Sequence, residues 1–349
     1  MKEIEIAGHR IGVGYPCFII AEAGVNHNGD IQVAKRLVDV AAKAGADAVK
    51  FQTFKADRMV SATAPKAEYQ LQTTDPAESQ LEMLRRLELS PEAHRKLQTY
   101  CQEQGVLFMS TPFDEESADF LDELGVPVFK IGSGEITNRP FLEYIARKKK
   151  PVILSTGMSY LSEVDEAVRV IREAGCDQLI LLHCVSNYPA NPADANLRAM
   201  QTMAIAFQVP VGYSDHTPDI EVALAAVALG ACVIEKHFTL DKNLPGPDHR
   251  ASLEPPGLQA LVTGIRTVEL ALGNGTKRPA RSELDNRLIV RRSLAAAFDI
   301  PKGTVLRSDM LRALRPASGI APALMEYVVG RRTRRTLMAG QLITWSDLE

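Results

Sequence analysis

Residues 43–54 read KAGADAVKFQTF, and this stretch decides the fold. It opens at the end of a helical pattern, because over 31–43 the apolar positions Val33, Leu37, Val40 and Ala41 fall on one face. Gly45 follows, where a left-handed helix cap requires it. A short apolar run over 46–51 comes next. Near its end Lys50 and Gln52 share one face by the strand period of two. The same helix–glycine–strand form recurs as EQGV at 103–106, ELGV at 123–126 and EAGC at 173–176. Working outward gives eight apolar runs, at 17–23, 46–51, 106–110, 126–131, 151–155, 178–183, 209–213 and 231–237. They are nearly continuous in hydrophobicity, as parallel strands covered on both faces are. Helical segments separate them, among them 91–104 (Ser90 as N-cap, Pro91 at the first helical position), 162–174, 219–229 and 256–272. Eight such units predict an α/β fold, a (β/α)8 TIM barrel. A doubly wound sheet would more often carry a glycine-rich phosphate turn after its first strand, where this chain has EAGVNHNG at 22–29.

The chain has 349 residues, and a barrel needs about 250. The surplus reads as a second unit: a barrel over 1–275, a polar linker over 276–288 and a turn-rich module over 289–349. Short strand-like pieces in that module fall at 292–297, 304–306, 311–315 and 342–345. Hydrophobic residues make up 46% and charged residues 24%, which excludes a disordered or collagen-like chain. No apolar run approaches the roughly 18–20 residues that span a bilayer. The start, MKEIEIAGHR, lacks the apolar core of a secretory signal, so a cytoplasmic protein is expected. Five scattered cysteines without CxxC spacing predict reduced thiols. Residues 281–349 hold 12 Lys/Arg against 7 Asp/Glu, within a chain of net charge −3. That excess is too small for a nucleic-acid face, although it leaves a cation available to an anionic small molecule. The connection over 53–90 is long enough to be functional or to carry helices of its own.

Barrel active sites lie at the C-terminal ends of the strands. The polar residues there are Glu22, Asn26 and His27; Lys50 and Gln52; Ser110, Thr111 and Asp114; Lys130, Ser133 and Glu135; Ser155 and Thr156; His183, Ser186, Asn187 and Tyr188; Ser214, Asp215 and His216; and Glu235, Lys236 and His237. Every strand delivers such groups to one rim, which a structural barrel has no reason to do. Lys50 and Lys130 beside the hydroxyls of Thr111, Ser133, Ser155 and Ser214 suggest a carboxylate or phosphate site. A Schiff-base lysine is the competing reading. His216 and His237 close neighbouring strands, which lie about 4.8 Å apart. They either share one divalent ion, with Mn²⁺, Co²⁺, Fe²⁺ or Mg²⁺ all compatible, or stand as separate rim side chains. His183 reads as packed within the barrel. Glu135 is either an acid/base, its pKa raised by burial, or an ordinary loop glutamate. Asp248 and Glu22 are placed to take substrate hydroxyls, or, for Asp248, to stabilise its turn.

The motifs IAEAGVNHNG (20–29), AVKFQTF (48–54), APKAEYQ (64–70), STPFD (110–114), KIGSGE (130–135), STGM (155–158), YSDH (213–216), IEKHFTLD (234–241) and GPDH (246–249) resemble those of the sialic acid synthases. The tail is similar to that family's C-terminal SAF domain, whose fold resembles type III antifreeze proteins. The resemblance implies condensation of phosphoenolpyruvate with an N-acetylated aminohexose, N-acetylmannosamine first, to give a nine-carbon 2-keto acid and phosphate. The related legionaminic and pseudaminic acid synthases share these motifs and would take a 2,4-diacetamido-trideoxyhexose; YSDH and GPDH lean toward the neuraminic and legionaminic branch. By resemblance His216 and His237 hold a divalent metal, Mn²⁺ above Mg²⁺ or Co²⁺, that polarises the sugar aldehyde. Lys50, Thr111, Lys130, Ser133, Ser155, Ser186 and Ser214 match phosphoenolpyruvate-binding positions, with CVSNYP at 184–189 leaving Ser186 and Asn187 as alternatives. Glu135 matches the acid/base, and Glu22, Gln52, Tyr188 and Asp248 match positions around the amino sugar. The resemblance also implies a domain-swapped homodimer in which Arg315, in LRPASGI at 314–320, reaches a partner's site.

Overall fold

The computed structural model describes residues 3–349. The chain divides into two compact units, Met1–Gly273 and Asn274–Glu349.

The first unit opens with an antiparallel hairpin, β1 (Ile4–Ile6) and β2 (His9–Ile11). Eight parallel strands follow: β3 (Phe18–Gly24), β4 (Ala48–Thr53), β5 (Leu107–Pro112), β6 (Phe129–Ile131), β7 (Val152–Ser155), β8 (Leu179–Cys184), β9 (Val211–Asp215) and β10 (Val233–His237). They form one sheet in the order β5-β4-β3-β10-β9-β8-β7-β6. β5 and β6, the two ends of that order, lie side by side without ladder hydrogen bonds, so the sheet rolls into a nearly closed TIM barrel. All eight expected strands are present.

Helices alternate with the strands: α1 (Ile31–Ala44) after β3; α2 (Ala56–Met59), α3 (Glu68–Thr73), α4 (Gln80–Leu87) and α5 (Pro91–Gln104) after β4; α6 (Glu115–Glu123), α7 (Arg139–Ala146), α8 (Leu161–Glu173), α9 (Arg198–Phe207), α10 (Glu221–Ala228) and α11 (Pro255–Leu272) after the later strands. Gly45 and Gly105 cap α1 and α5 in the left-handed conformation, at φ 79° and 71°. The long connection after β4 does carry helices, the three short ones α2 to α4. One core lies between sheet and helices, built on residues such as Ile19, Leu37, Tyr213, Ile234 and Leu261. A second fills the barrel interior, with Phe18, Ile20, Met109, Ile153, Ile180 and Val233. Ile4, Ile6 and Ile11 of the hairpin belong to that inner core and cover it from one side. Nothing in the sequence reading assigned them this part.

The first α-helix of the second unit, α12 (Leu284–Val290), starts in the stretch read as linker and runs past its end. Leu284 and Leu288, one turn apart, supply the helical pattern, and both are exposed. β11 (Ser293–Ala296) and β12 (Leu311–Leu314) pair antiparallel. The expected strands at 304–306 and 342–345 reduce to isolated bridges of Val305 with Arg332 and Leu342 with Ala295. A short helix, α13 (Met325–Val328), completes the unit. Leu294, Ile300, Leu306, Ile320, Leu337 and Ile343 form its own small core. No helix among the described residues is long and apolar enough to cross a membrane. All five cysteines are buried and free.

Candidate active site

Period-two alternation sorts each strand end into an inward and an outward set. On β10, Glu235 and His237 alternate with Lys236, and on β9 Ser214 alternates with Asp215. The inward set converges on the rim the sequence named.

Lys50 of β4 is 3% exposed. Its ammonium lies 2.6 Å from Glu22 Oε2, donates to Thr111 Oγ1 at 2.9 Å and stands 3.6 Å from Glu235 Oε2. Lys130 of β6 donates to Ser155 Oγ at 2.7 Å and stands 3.5 Å from Glu235 Oε1. Ser214 Oγ donates to Glu235 Oε1 at 3.0 Å. The two lysines expected to face an anionic substrate are thus already countered by two protein carboxylates. Buried cations demand this, since desolvating an unpaired charge is costly. Glu235 is the hub of the arrangement. It stood among the strand-end residues without a role, and its place two residues before His237 on the same face was the signal available.

Two carboxylates competing for the same cations are driven apart. Burial lifts Glu22 to about 7 against the pull of Lys50, with Glu235 adding to the rise. Burial would lift Glu235 too, but Lys130 and Lys50 outweigh it and hold it at about 2. Burial lowers Lys50, yet Glu22 and Glu235 outweigh it, so Lys50 stays charged. Lys130 is lowered by burial despite Glu235.

A second cluster surrounds Gly157, just beyond β7. Its amide N–H donates to Ser133 Oγ at 2.9 Å. A Cβ at this position would stand 2.2 Å from Ser186 Oγ and 2.9 Å from Ser133 Oγ, so only glycine lets the three groups meet. Ser186 therefore belongs to this cradle, while Asn187 is exposed. Hydroxyl donors so gathered suit a phosphate.

A third cluster surrounds Gly24 at φ 51°, where a Cβ would lie 3.2 Å from Glu22 Oε1, 3.5 Å from Gln52 Nε2 and 3.6 Å from Asp248 Oδ2. Burial lifts Asp248 to about 6. Asp248 Oδ2 stands 3.8 Å from His237 Nδ1, a buried nitrogen without a hydrogen-bond partner.

His216 and His237 face one another with ring centroids 5.4 Å apart. His216 Nδ1 meets the Val185 carbonyl at 2.6 Å, which leaves Nε2 for a ligand. Burial lowers His216 to about 4 and His237 well below its usual range, so both rings are neutral, the ligating form. Among the described residues no three His, Cys, Asp or Glu side chains stand so that they could hold a metal ion together. Two neutral imidazoles with an orphaned buried nitrogen fit an open site completed by oxygen donors. Tyr188 packs on His216 at 4.2 Å, and Tyr69 of α3 packs on Tyr188 at 5.2 Å. Tyr69, part of the APKAEYQ motif but given no role by the sequence, brings the long connection onto this wall.

Other expected residues lie elsewhere. Glu135 is half-buried, outside the carboxylate pair, and accepts from Asn138 Nδ2 at 2.7 Å. His183 is half-buried and hydrogen-bonded, its Nε2 at 2.8 Å from the Ala195 carbonyl. Arg315 stands exposed just past β12 in the second unit.

The fold and rim define an enzyme of the (β/α)8 class, with an ion-paired lysine site beside a hydroxyl-lined cradle and two neutral histidines. Its sequence matches the NeuB family over residues 37–277 and the SAF domain over 291–349. The chain belongs to the NeuB family. It is 53% identical over 342 residues to N,N'-diacetyllegionaminic acid synthase of Legionella pneumophila, covering 97% of this chain and 96% of the relative. It is 52% identical to the synthase of the same name from Campylobacter jejuni, covering 93% and 98%. Among solved structures, an N-acetylneuraminic acid synthetase from Leptospira borgpetersenii in complex with citrate superposes with TM-score 0.74 at 39% identity, covering 82% of this chain and 95% of that one.

Proposed function

We propose that this chain is a transferase that condenses phosphoenolpyruvate with a 2,4-diacetamido-trideoxyhexose to give N,N'-diacetyllegionaminic acid and phosphate. The observation that carries the reaction class is one rim holding the lysine pair, the Gly157 cradle, the two histidines and the Glu22–Gln52–Asp248 cluster. What favours this sugar over the first-expected N-acetylmannosamine is relatedness. The relatives at 53% and 52% identity are named for legionaminic acid, and the N-acetylneuraminic acid synthetase stands at 39%.

In this reading Lys130, Ser155 and Thr111 bind the carboxylate end of phosphoenolpyruvate, and Ser186 and Ser133, the latter oriented by the Gly157 N–H, take its phosphate. Lys50 and Ser214 line the space between. Glu22, Gln52 and Asp248 orient the open-chain sugar, with Tyr188 as its wall. His216 and His237 would hold a divalent ion, Mn²⁺ first and Mg²⁺ or Co²⁺ after it, which supplies Lewis-acid polarisation of the aldehyde. C3 of phosphoenolpyruvate attacks the aldehyde carbon and leaves a cationic C2 that water traps. The tetrahedral product collapses to the 2-keto acid, breaking the C–O bond to phosphate. Glu22 or Glu135 holds the proton that these steps move. Lys50 is kept charged by Glu22 and Glu235, which unsuits it to imine formation.

The test supplies Mn²⁺-loaded enzyme, phosphoenolpyruvate and a panel of acetamido sugars, and reads phosphate release and product mass. Phosphate release is expected only with both substrates, and about 10-fold or more faster with the diacetamido sugar. A preference for N-acetylmannosamine would overturn the sugar, and release from phosphoenolpyruvate alone would overturn the mechanism.

The reading includes a domain-swapped homodimer in which Arg315 reaches the partner's barrel. Chains carrying Arg315→Ala and chains carrying His237→Ala, each inactive alone, should recover about a quarter of full activity when unfolded and reassembled together. That fraction follows because only half the dimers are mixed, and each holds one complete site. No recovery would place Arg315 with its own barrel.

A further inference from the structure

The outward side of the same strand ends carries a fully buried ion pair that the reaction does not use. Lys236 and Asp215 are register partners on β10 and β9, and both are 0% exposed. Lys236 Nζ donates to Asp215 Oδ2 at 2.7 Å, to the Thr217 carbonyl and to the Asp219 carbonyl at 2.9 Å. All three ammonium protons are thereby used. Asp215 Oδ1 accepts from Thr217 N at 2.9 Å and Thr217 Oγ1 at 2.8 Å, closing a turn around His216.

Two residues earlier on each strand, the outward positions are Tyr213 and Ile234, uncharged and buried in the core between sheet and helices. The charge pair itself adds little stability, since buried ion pairs are weak stabilisers, but an apolar pair would leave the Thr217 and Asp219 carbonyls and the Thr217 N–H without these partners. What apolar side chains cannot do is fix the path of 215–219. His216 and His237 each follow one member of the pair directly in sequence. His237 Nδ1 has no hydrogen-bond partner of its own.

We propose that Lys236 and Asp215 are positioning residues that hold His216 and His237 at one mutual geometry for metal binding. The proposal rests on the reading of those histidines as metal ligands. The pair acts from behind the sheet, through backbone it shares with both rings and through the turn at Thr217.

The test measures Mn²⁺ binding to metal-free enzyme without substrates, by calorimetry or by the spin-resonance signal of free Mn²⁺, with melting temperature recorded in parallel. The double variant Asp215→Leu with Lys236→Met is expected to fold, to melt lower than the wild type because the carbonyls at 217 and 219 lose their donor, and to bind Mn²⁺ about 10-fold or more weakly. Wild-type Mn²⁺ affinity in a folded double variant overturns the proposal. Should that variant fail to fold, Thr217→Val removes only the hydroxyl bond to Asp215. It is then expected to weaken Mn²⁺ binding by about 2- to 5-fold, short of the loss from outer-shell partners, with an unchanged melting temperature. Unchanged affinity in Thr217→Val likewise overturns the proposal. His237→Ala separates the two ideas: if it also binds Mn²⁺ like the wild type, the metal reading falls. If it loses the metal while the double variant keeps it, only the positioning role falls.

Discussion

Replacing Lys50 by Met is expected to lower turnover by about 10²–10³-fold, the scale of losing one preorganised electrostatic group. It should also destabilise the fold by about 3–5 kcal/mol, because breaking a buried pair strands its partner. Lys50 is the ammonium shared by Glu22 and Glu235, both nearly inaccessible to water. Without it, Lys130 still stands against Glu235, while Glu22 keeps only the more distant pull of Lys130. Glu22 already titrates near 7 in the folded protein, above the ordinary carboxylate range. In the variant it rises further. An unfolded glutamate loses its proton near 4.5, so the folded state binds more protons above that pH. Stability is therefore lost as pH rises through this window, and the deficit against wild type should be larger at pH 8 than at pH 6. Denaturant titrations at both pH values check this, with phosphate release measured alongside. An equal deficit at both would mean that Glu22 finds another cation.

His216→Ala and His237→Ala should each reduce phosphate release by about 10³-fold or more, several kcal/mol of transition-state stabilisation. Neither truncation should cost much stability beyond the lost packing. Each ring is buried as the neutral form, so removing it strands no charge. The Tyr188 ring, at 4.2 Å from His216 and 5.5 Å from His237, partly fills either gap. The check is Mn²⁺ binding together with turnover, and retained turnover in either variant would remove the histidines from the mechanism.

The sequence exposed the barrel because its repeat is local. Each helix stop, glycine and apolar run falls within about a dozen residues, and all eight strands stand where those runs lie. The rim was legible for the same reason, since a polar residue at a strand end declares itself. What crossed the barrel was not legible. Glu235 on β10 meets Lys50 on β4 and Lys130 on β6, and no sequence spacing encodes a distance across an enclosed space. The choice between Ser186 and Asn187 depended on Gly157, almost thirty residues away. Ile4, Ile6 and Ile11 were too short a pattern to announce a hairpin, and their meaning lies in the inner core they cover.

The unzipped junction between β5 and β6 gives the barrel a preferred line of breathing. Lys50 with Thr111 stands on one bank of it and Lys130 with Ser155 on the other, and among the described residues Glu235, reaching in from β10, is the one carboxylate within ion-pair distance of both lysines. A ligand gripping both banks would act as a staple. Amide hydrogen exchange in β5 and β6 should then slow on adding phosphoenolpyruvate more than in β8 or β9, which are laddered on both sides. Uniform slowing would show that the junction is as rigid as the rest of the wall.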